Sequence, residues 1–362
     1  MRVLIDALGA PRASGGMRLY VDGVLRGWLE KYPEDRIVVI GGKWVAEEFG
    51  DVTNLRVRVW PNENALFRVI GQLVVSAVVF VQTRSEVLIS LSPIVSPLVS
   101  NRKRTSTVQD WRHIKNPHEF SRGQLLYRKL WRVSVATAGS VVAMSQKTQD
   151  ETLAIVPSAR SAVVETGRDY VRYWPTEGEP TPISARVNVL TFGHHANKRP
   201  ELALDAFAKL NPDRRAQLRL VVLGARGAHR NELLTRARSL AIDDRCEFPG
   251  FVEEVTYRAL VRGAALIILV SSDEGFGLPI ADANYLGIPA LVTSDSGLEM
   301  IHSEGIFVAK PNPQSIADGI ETVLASDILL TRSDSLATWA QTAAGIRSRA
   351  RAALSRDFYH AK

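Results

Sequence analysis

Short apolar runs recur along this chain, each followed by a stretch whose apolar positions repeat at helical spacing. "RVLIDAL" (2–8) reads as a buried strand, "GAPRASGG" as a glycine-bearing loop, and "MRLYVDGVLRGWLEKY" (17–32) as a helix. "RIVVIGG", "VLISLS", "TSTVQD" and "SVVAMS" are further short strands separated by helical patterns. Such alternation predicts a parallel sheet with crossover helices. Residues 172–186, "RYWPTEGEPTPISAR", contain three prolines and little apolar periodicity, and read as a linker. The alternation then restarts with "VNVLTFG", "LRLVVLG", "CEFPGF", "ALIILV", "PALVT" and "GIFVA". The expected organisation is two doubly wound α/β domains, 1–171 and 187–335. A helical, basic tail (336–362) then packs on its own domain or crosses back to the first. Two such domains would face one another across a cleft, with ligands beyond the carboxyl ends of the strands.

Composition refines this picture. Of the 362 residues, 46% are hydrophobic and 23% charged, so both domains can build a core. The single cysteine, Cys246, cannot form an internal disulfide and reads as a small buried hydrophobe in a reducing compartment. The first residues lack the pattern of a signal peptide. The most apolar stretch, Val69–Val81, is short for a bilayer span and includes Gln72 and Ser76, so it predicts a buried helix. A cytoplasmic, soluble protein is expected. The net charge of +7 suits an anionic partner. Zinc-finger spacing and a basic region leading into heptads are both missing from the sequence, which argues against nucleic acid.

The most informative stretch is "DEGFGLPIADANYLGIPALVTSDSG" (273–297). "ALIILV" before it is a buried strand, so Glu274 falls in the loop at the carboxyl edge of the sheet. Gly275 and Gly277 permit close backbone approach and leave amides bare, and Pro279 suits the first turn of a helix ending before Gly287. Amides and a helix N-terminus favour phosphate. Two carboxylates, Glu274 and Asp282, favour vicinal hydroxyls. A nucleotide-sugar has phosphates between two polyols and satisfies both.

This stretch resembles the E-x7-E signature of the GT-B glycosyltransferases of the retaining family 4 type. The matching residues are Glu274-Gly275-Phe276-Gly277-Leu278-Pro279, then Asp282, then Gly287-Ile288-Pro289, with aspartate replacing the usual second glutamate. The resemblance implies a GT-B fold. It also implies that Glu274 contacts the transferred sugar and Asp282 the ribose diol. In "TFGHHANKRPELALDAF", Lys198 and Arg199 lie in a loop on the ligand edge, where a cation would neutralise a leaving diphosphate. Lys198 matches the family's lysine, and His194 stands where an arginine is usual. Gly15 and Gly16 match a Gly-Gly pair facing the donor phosphate, flanked by Arg12 and Arg18. "TSTVQDWRH" resembles T-V-H-D, with Gln109 in place of the histidine that positions the sugar; Asp110 and His113 are further candidates. Ser145 reads as a helix N-cap. Thr166 and Gly167 correspond to an N-G pair and read as structural. Backbone near Phe251 and Val252 is implied to meet the nucleobase.

The expected activity is transfer of a hexosyl-type unit from a nucleoside-diphosphate-sugar to a hydroxyl of a carbohydrate or lipid-linked glycan. Retention follows from the resemblance, as does a role in bacterial envelope or polysaccharide assembly. The sequence contains no Asp-x-Asp triplet, so metal-independent catalysis without a further cofactor is favoured. A non-catalytic nucleotide-sugar-binding scaffold and a GT-B sugar-nucleotide epimerase remain open. A dinucleotide oxidoreductase fits poorly, because "GARGAHR" lacks the G-x-G-x-x-G spacing. At helical period, Arg122, Arg128, Lys129 and Arg132 share one side of a helix opposite Leu126, Tyr127, Leu130, Trp131 and Val133. This predicts a solvated basic face or, alternatively, peripheral contact with the inner face of a membrane. The oligomeric state is left open.

Overall fold

The computed structural model describes residues 1–175, 187–301, 305–326 and 336–355. The chain divides into two compact units, Met1–Gly167 with Ala337–Lys362, and Arg168–Leu336. Of the expected linker, Trp174 is buried within the second unit and 176–186 lie outside the described residues.

In the first unit, strands β1 (Arg2–Asp6), β2 (Arg36–Gly41), β3 (Leu55–Val59), β4 (Val87–Ser90), β5 (Arg104–Val108), β6 (Ser140–Ala143) and β7 (Ser161–Val163) form one sheet. Its order is β3-β2-β1-β4-β5-β6-β7, and every pairing is parallel. The chain winds outward from β1 to β3, returns to the other side of β1 and winds outward again. The reversal creates a switch point between the carboxyl ends of β1 and β4. The edge strands β3 and β7 escape a reading by apolar runs. In "LRVRV", Arg56 and Arg58 are exposed and leave only half an apolar pattern, as suits a protected edge.

Helix Trp339–Leu354 belongs to this unit. Its Trp339 is fully buried against helix Gly15–Lys31, where a Cβ on Gly23 would lie 2.3 Å from the indole ring and one on Gly27 2.2 Å from the Trp339 carbonyl oxygen. The two glycines are therefore the seat of the tail. Arg347 adds a two-pronged bond to the buried Asp35, at 2.8 and 2.9 Å.

The stretch expected to be a buried helix differs. Ala65–Ile70 and Ser76–Gln82 are α-helices joined by a π turn, Gly71–Val75. One side packs in the core through Ala77, Val79 and Phe80, while the other exposes apolar side chains.

In the second unit, β8 (Asn188–Phe192), β9 (Arg219–Leu223), β10 (Cys246–Gly250), β11 (Ala264–Leu269), β12 (Ala290–Thr293) and β13 (Ile306–Ala309) form a parallel sheet ordered β10-β9-β8-β11-β12-β13. Its core is built around Phe207, Leu220, Leu266, Ile268 and Ile316. The switch point lies between β8 and β11. Cys246 opens β10 half-buried, and burial, with Asp243 and Asp244 nearby, pushes its thiol up to about 12. It is an inert side chain.

Candidate functional site

At the switch point of the second unit, the loops leaving β8 and β11 are sewn together. Asn197 donates from its side chain to the Asp273 carbonyl (2.9 Å), and its own carbonyl accepts from the Ser272 amide (2.9 Å). The same seam brings Lys198 Nζ to 2.5 Å from Glu274 Oε1, with side chains 9% and 11% exposed. A cation and a carboxylate separated by 76 residues in the chain thus form a nearly buried pair at the ligand edge. Low solvent access strengthens their mutual hold.

Arg199 is in the left-handed region (φ 46°) immediately before Pro200, which opens helix Pro200–Ala208. Its guanidinium is spent inside the unit. Nε donates to the Val270 carbonyl, and Nη2 to the Ser271 carbonyl and Thr293 Oγ1. Nη1 and Nη2 both reach Asp295 at 2.8 Å. These bonds offset the unfavourable backbone conformation. Arg199 therefore clamps the ends of β8, β11 and β12.

The Gly-Phe-Gly turn behaves as its residues dictate. Gly277 has φ 77°, and a Cβ there would lie 2.5 Å from Leu298 Cδ2, so only glycine fits. It precedes helix Leu278–Tyr285, with Pro279 in the first turn. Gly275 and Leu278 are half-buried in this turn, while the Phe276 ring is buried and serves packing. Asp282 lies within the helix and is 3% exposed, and Tyr257 donates its hydroxyl to Asp282 Oδ2 at 3.1 Å. Burial raises the Asp282 carboxyl to about 7, against the opposing hydrogen bond from Tyr257. Trp174 packs edge-on against Tyr257 with ring centroids 6.1 Å apart. The second acid of the signature is thus buried and bonded to helix Glu254–Arg262.

The carboxyl ends of β8, β9 and β10 converge on a second feature. The His194 ring lies 6.2 Å from the Phe251 ring, which is half-exposed, and the Arg226 guanidinium sits 4.0 Å above that ring. Gly224, at φ 86°, leaves room for His194, since a Cβ there would approach the histidine Cβ to 2.8 Å. Val252 follows, half-buried. The result is an aromatic face with a cation over it, a surface suited to a flat ring.

The loops of the first unit use their polar groups internally. Gly15 and Gly16 begin helix Gly15–Lys31, and a Cβ on Gly15 would meet nothing within 4 Å. Arg12 pairs with Glu47, while Arg18 pairs with Glu48 at 3.2 Å and covers the Trp44 ring. Gln109 Nε2 donates to the Leu91 carbonyl and to Thr107 Oγ1, both at 3.1 Å. Asp110 accepts from the Arg112 amide at 3.0 Å. His113 is buried among Trp111, Trp131 and Phe120, and burial lowers its pKa to about 4. It is part of an aromatic cluster. Ser145 caps helix Gln146–Ile155 by accepting from the Thr148 amide at 3.2 Å. Thr166 is buried, and Gly167 packs closely against Trp339. Among the described residues, His, Cys, Asp and Glu form no group able to hold a metal ion.

Residues 187–341 match the family model described as glycosyl transferases group 1. The matched stretch falls almost wholly in the second unit, which is thus similar to group 1 glycosyl transferases.

Sequence relatives of this chain include a GDP-mannose:cellobiosyl-diphosphopolyprenol alpha-mannosyltransferase of Xanthomonas oryzae. It is 23% identical over 55% of this chain and 53% of the relative. A D-inositol 3-phosphate glycosyltransferase of Kineococcus radiotolerans is 27% identical over 46% of this chain and 44% of the relative. The chain thus spans about half the length of these relatives. Among solved structures, HepE of Anabaena in complex with UDP and glucose matches with a TM-score of 0.64 at 18% identity, covering 99% of this chain and 98% of that one. WaaG, described as a glycosyltransferase of lipopolysaccharide biosynthesis, matches with a TM-score of 0.63 at 13% identity and covers all of both chains. At these identities the structures establish the fold, α/β with the two parallel sheets of GT-B glycosyltransferases.

Within the second unit, Lys198 and Glu274 are brought together at the switch point, and His194 and Phe251 meet on the aromatic face. Asp282 and Arg199 are drawn into internal bonds. Sequence reasoning overlooked Arg226 and Tyr257. Arg226 lies in "GARGAHR", which follows a strand and so belongs to the ligand edge even where it fails as a dinucleotide fingerprint. No local pattern singles out Tyr257.

Proposed function

We propose that this protein transfers a glycosyl unit from a nucleoside-diphosphate-sugar to an acceptor hydroxyl, with retention and without a metal ion. The observation that carries this reading is the Lys198–Glu274 pair at the switch point of the second sheet. Lys198 Nζ and Glu274 Oε1 lie 2.5 Å apart. An arriving diphosphate draws Lys198 to its oxygens, and the Glu274 carboxylate then accepts hydrogen bonds from the sugar hydroxyls. Stacking of the base on Phe251 beneath Arg226 is consistent with the same orientation.

The bond between the anomeric carbon and the phosphate oxygen breaks, with its electron pair passing to the diphosphate. Lys198 stabilises that charge, assisted by the amides of the turn before helix Leu278–Tyr285. The acceptor oxygen bonds to the anomeric carbon on the same face, and its proton passes to the departing phosphate oxygen. A role in envelope or polysaccharide assembly is supported by the likeness to a diphosphopolyprenol-linked mannosyltransferase and to WaaG of lipopolysaccharide biosynthesis.

The test is a thermal-shift and hydrolysis panel of UDP-, GDP-, dTDP- and ADP-sugars in EDTA, on the wild type and Glu274→Ala. One stabilising donor, hydrolysed by the wild type and not by the variant, supports the reading. Binding without turnover for every donor and acceptor would favour a scaffold. Isomerisation of free donor would favour an epimerase, and no binding at all would overturn the site.

A further inference from the structure

The rod Ala65–Gln82 in the first unit presents a long apolar stripe. In an α-helix a four-residue step overshoots one turn by about 40°, so repeated steps of four would carry a stripe around the rod. The π turn is wider: the Ser76 amide reaches back five residues to the Gly71 carbonyl. It takes back part of that rotation. Leu66, Phe67, Ile70, Val74, Val78 and Val81 consequently stay outward, each 39–73% exposed. The inner side is fastened. A Cβ on Gly71 would press on Leu8 and Trp60 at 2.7 Å, and Gln72 donates to Ser92 Oγ at 2.8 Å. Ser76 Oγ donates to the Gln72 carbonyl at 2.7 Å. Although Ala65–Gln82 is long and apolar enough to span a membrane, these ties to the sheet keep it lying against the unit with one face out.

Helix Arg122–Thr137 lies alongside. Its Tyr127 hydroxyl donates to Gln72 Oε1 at 3.0 Å, and Arg68 sits 5.5 Å over the Tyr127 ring. The helix differs from the two-sided pattern its sequence predicts. Arg128 turns inward over Phe120 and Trp131. Leu126 and Val133 are about two-thirds exposed, sharing the outer face with Arg122, Lys129 and Arg132. Neither segment contains an aspartate or glutamate.

We propose that these two adjacent helices seat the first unit on the surface of an anionic lipid bilayer. The valine-rich stripe would enter the boundary between headgroups and acyl chains, while Arg122, Lys129 and Arg132 meet lipid phosphates. Charge complementarity selects this occupant over a second copy of the chain. Two copies joined stripe to stripe would also bring two acid-free basic helices to one interface. This inference stands on the first unit alone and is independent of the donor chemistry proposed for the second.

The experiment is co-sedimentation of the full chain with vesicles of pure phosphatidylcholine and of phosphatidylcholine with about one-third phosphatidylglycerol. The variants are Val74→Ser/Val78→Ser and Arg122→Gln/Lys129→Gln/Arg132→Gln. Thermal melts confirm that each folds, and sedimentation velocity reports self-association. The wild type is expected to pellet with the anionic vesicles, and its affinity to fall about fivefold per charge removed. The apolar variant is expected to lose binding at unchanged melting temperature. A wild type that stays in the supernatant with anionic vesicles overturns the proposal, as does an apolar variant that binds as well as the wild type. A dimer dissolved by the apolar substitutions without vesicle binding would assign the stripe to a second copy.

Discussion

At the switch point of the second sheet, Lys198 and Glu274 face each other across 2.5 Å and keep about a tenth of their side-chain surface in contact with solvent. At the corresponding edge of the first sheet, Arg12 and Arg18 are paired with glutamates and the Gln109 amide is bonded twice. His113 there is stacked among aromatic rings. Both edges are rich in polar residues after strand ends, the pattern that marks a ligand edge in sequence. They differ in what binds those residues. A charge pair can exchange its partners for a substrate's charges with little loss. An amide bonded to a strand-end carbonyl exchanges nothing without loosening the sheet.

The largest expected effect comes from breaking the pair. Glu274→Ala and Lys198→Ala should each lower turnover by about 10²–10³-fold, since each removes a group aimed at the substrate. Each should also cost roughly 3 kcal/mol of stability, because it takes the ion-pair partner from a nearly buried group, so turnover is measured well below the melting temperature. If either variant lost that stability and yet kept its rate, the pair would be structural, like the edge of the first sheet.

Next is Arg199, which sequence position groups with Lys198 and the structure separates. Arg199→Ala removes bonds to two carbonyls, Thr293 and Asp295. It should cost about 2–3 kcal/mol of stability, read as a drop of several degrees in melting temperature. Donor affinity measured well below that temperature should hold. A variant of unchanged melting temperature that no longer binds donor would return Arg199 to the ligand.

Such a separation shows how far the sequence can be read. The turn Glu274–Pro279 was legible because glycine at a positive φ and proline in a first turn are local requirements. The sheets were legible because buried parallel strands are continuous apolar runs. Edge strands such as β3 carry arginines on their open side and lose that mark. The fate of Arg199 depends on Thr293 and Asp295, and that of Asp282 on Tyr257, 25 residues earlier. Those pairings arise from strand order and helix packing. Likewise, the apolar run 69–81 reads as buried because composition registers hydrophobicity but not which face the sheet covers.

Asp282 gives a smaller, pH-dependent effect. Its folded carboxyl lies near 7, against an ordinary value of 3.8. Between these values the folded protein holds a proton that the unfolded chain has released, so stability falls as pH rises through 7. Asp282→Asn mimics the neutral form. It should be more stable than the wild type at pH 8, by about 1–2 kcal/mol, with the advantage gone near pH 4. Asp6, raised to about 7 by burial, leaves a second slope of the same sign in both proteins. Equal melting curves at every pH, together with a tenfold loss of donor affinity, would instead place Asp282 on the ribose.

Gln109 is expected to give the smallest effect, and it bears most directly on the difference between the two edges. Its amide joins the Leu91 carbonyl beyond β4 to Thr107 within β5. Gln109→Ala leaves an acceptor on each side, costing about 1 kcal/mol, while the threonine hydroxyl can rotate to recover part of it. Gln109→Glu should be the worse substitution, since it sets a carboxylate against the carbonyl oxygen that the amide bonds. Turnover of Gln109→Ala should stay within about tenfold of wild type, a loss of roughly 1.4 kcal/mol in the barrier. If activity vanished at an unchanged melting temperature, Gln109 would touch the transferred sugar, and the first sheet's edge would have to release its amide to do so.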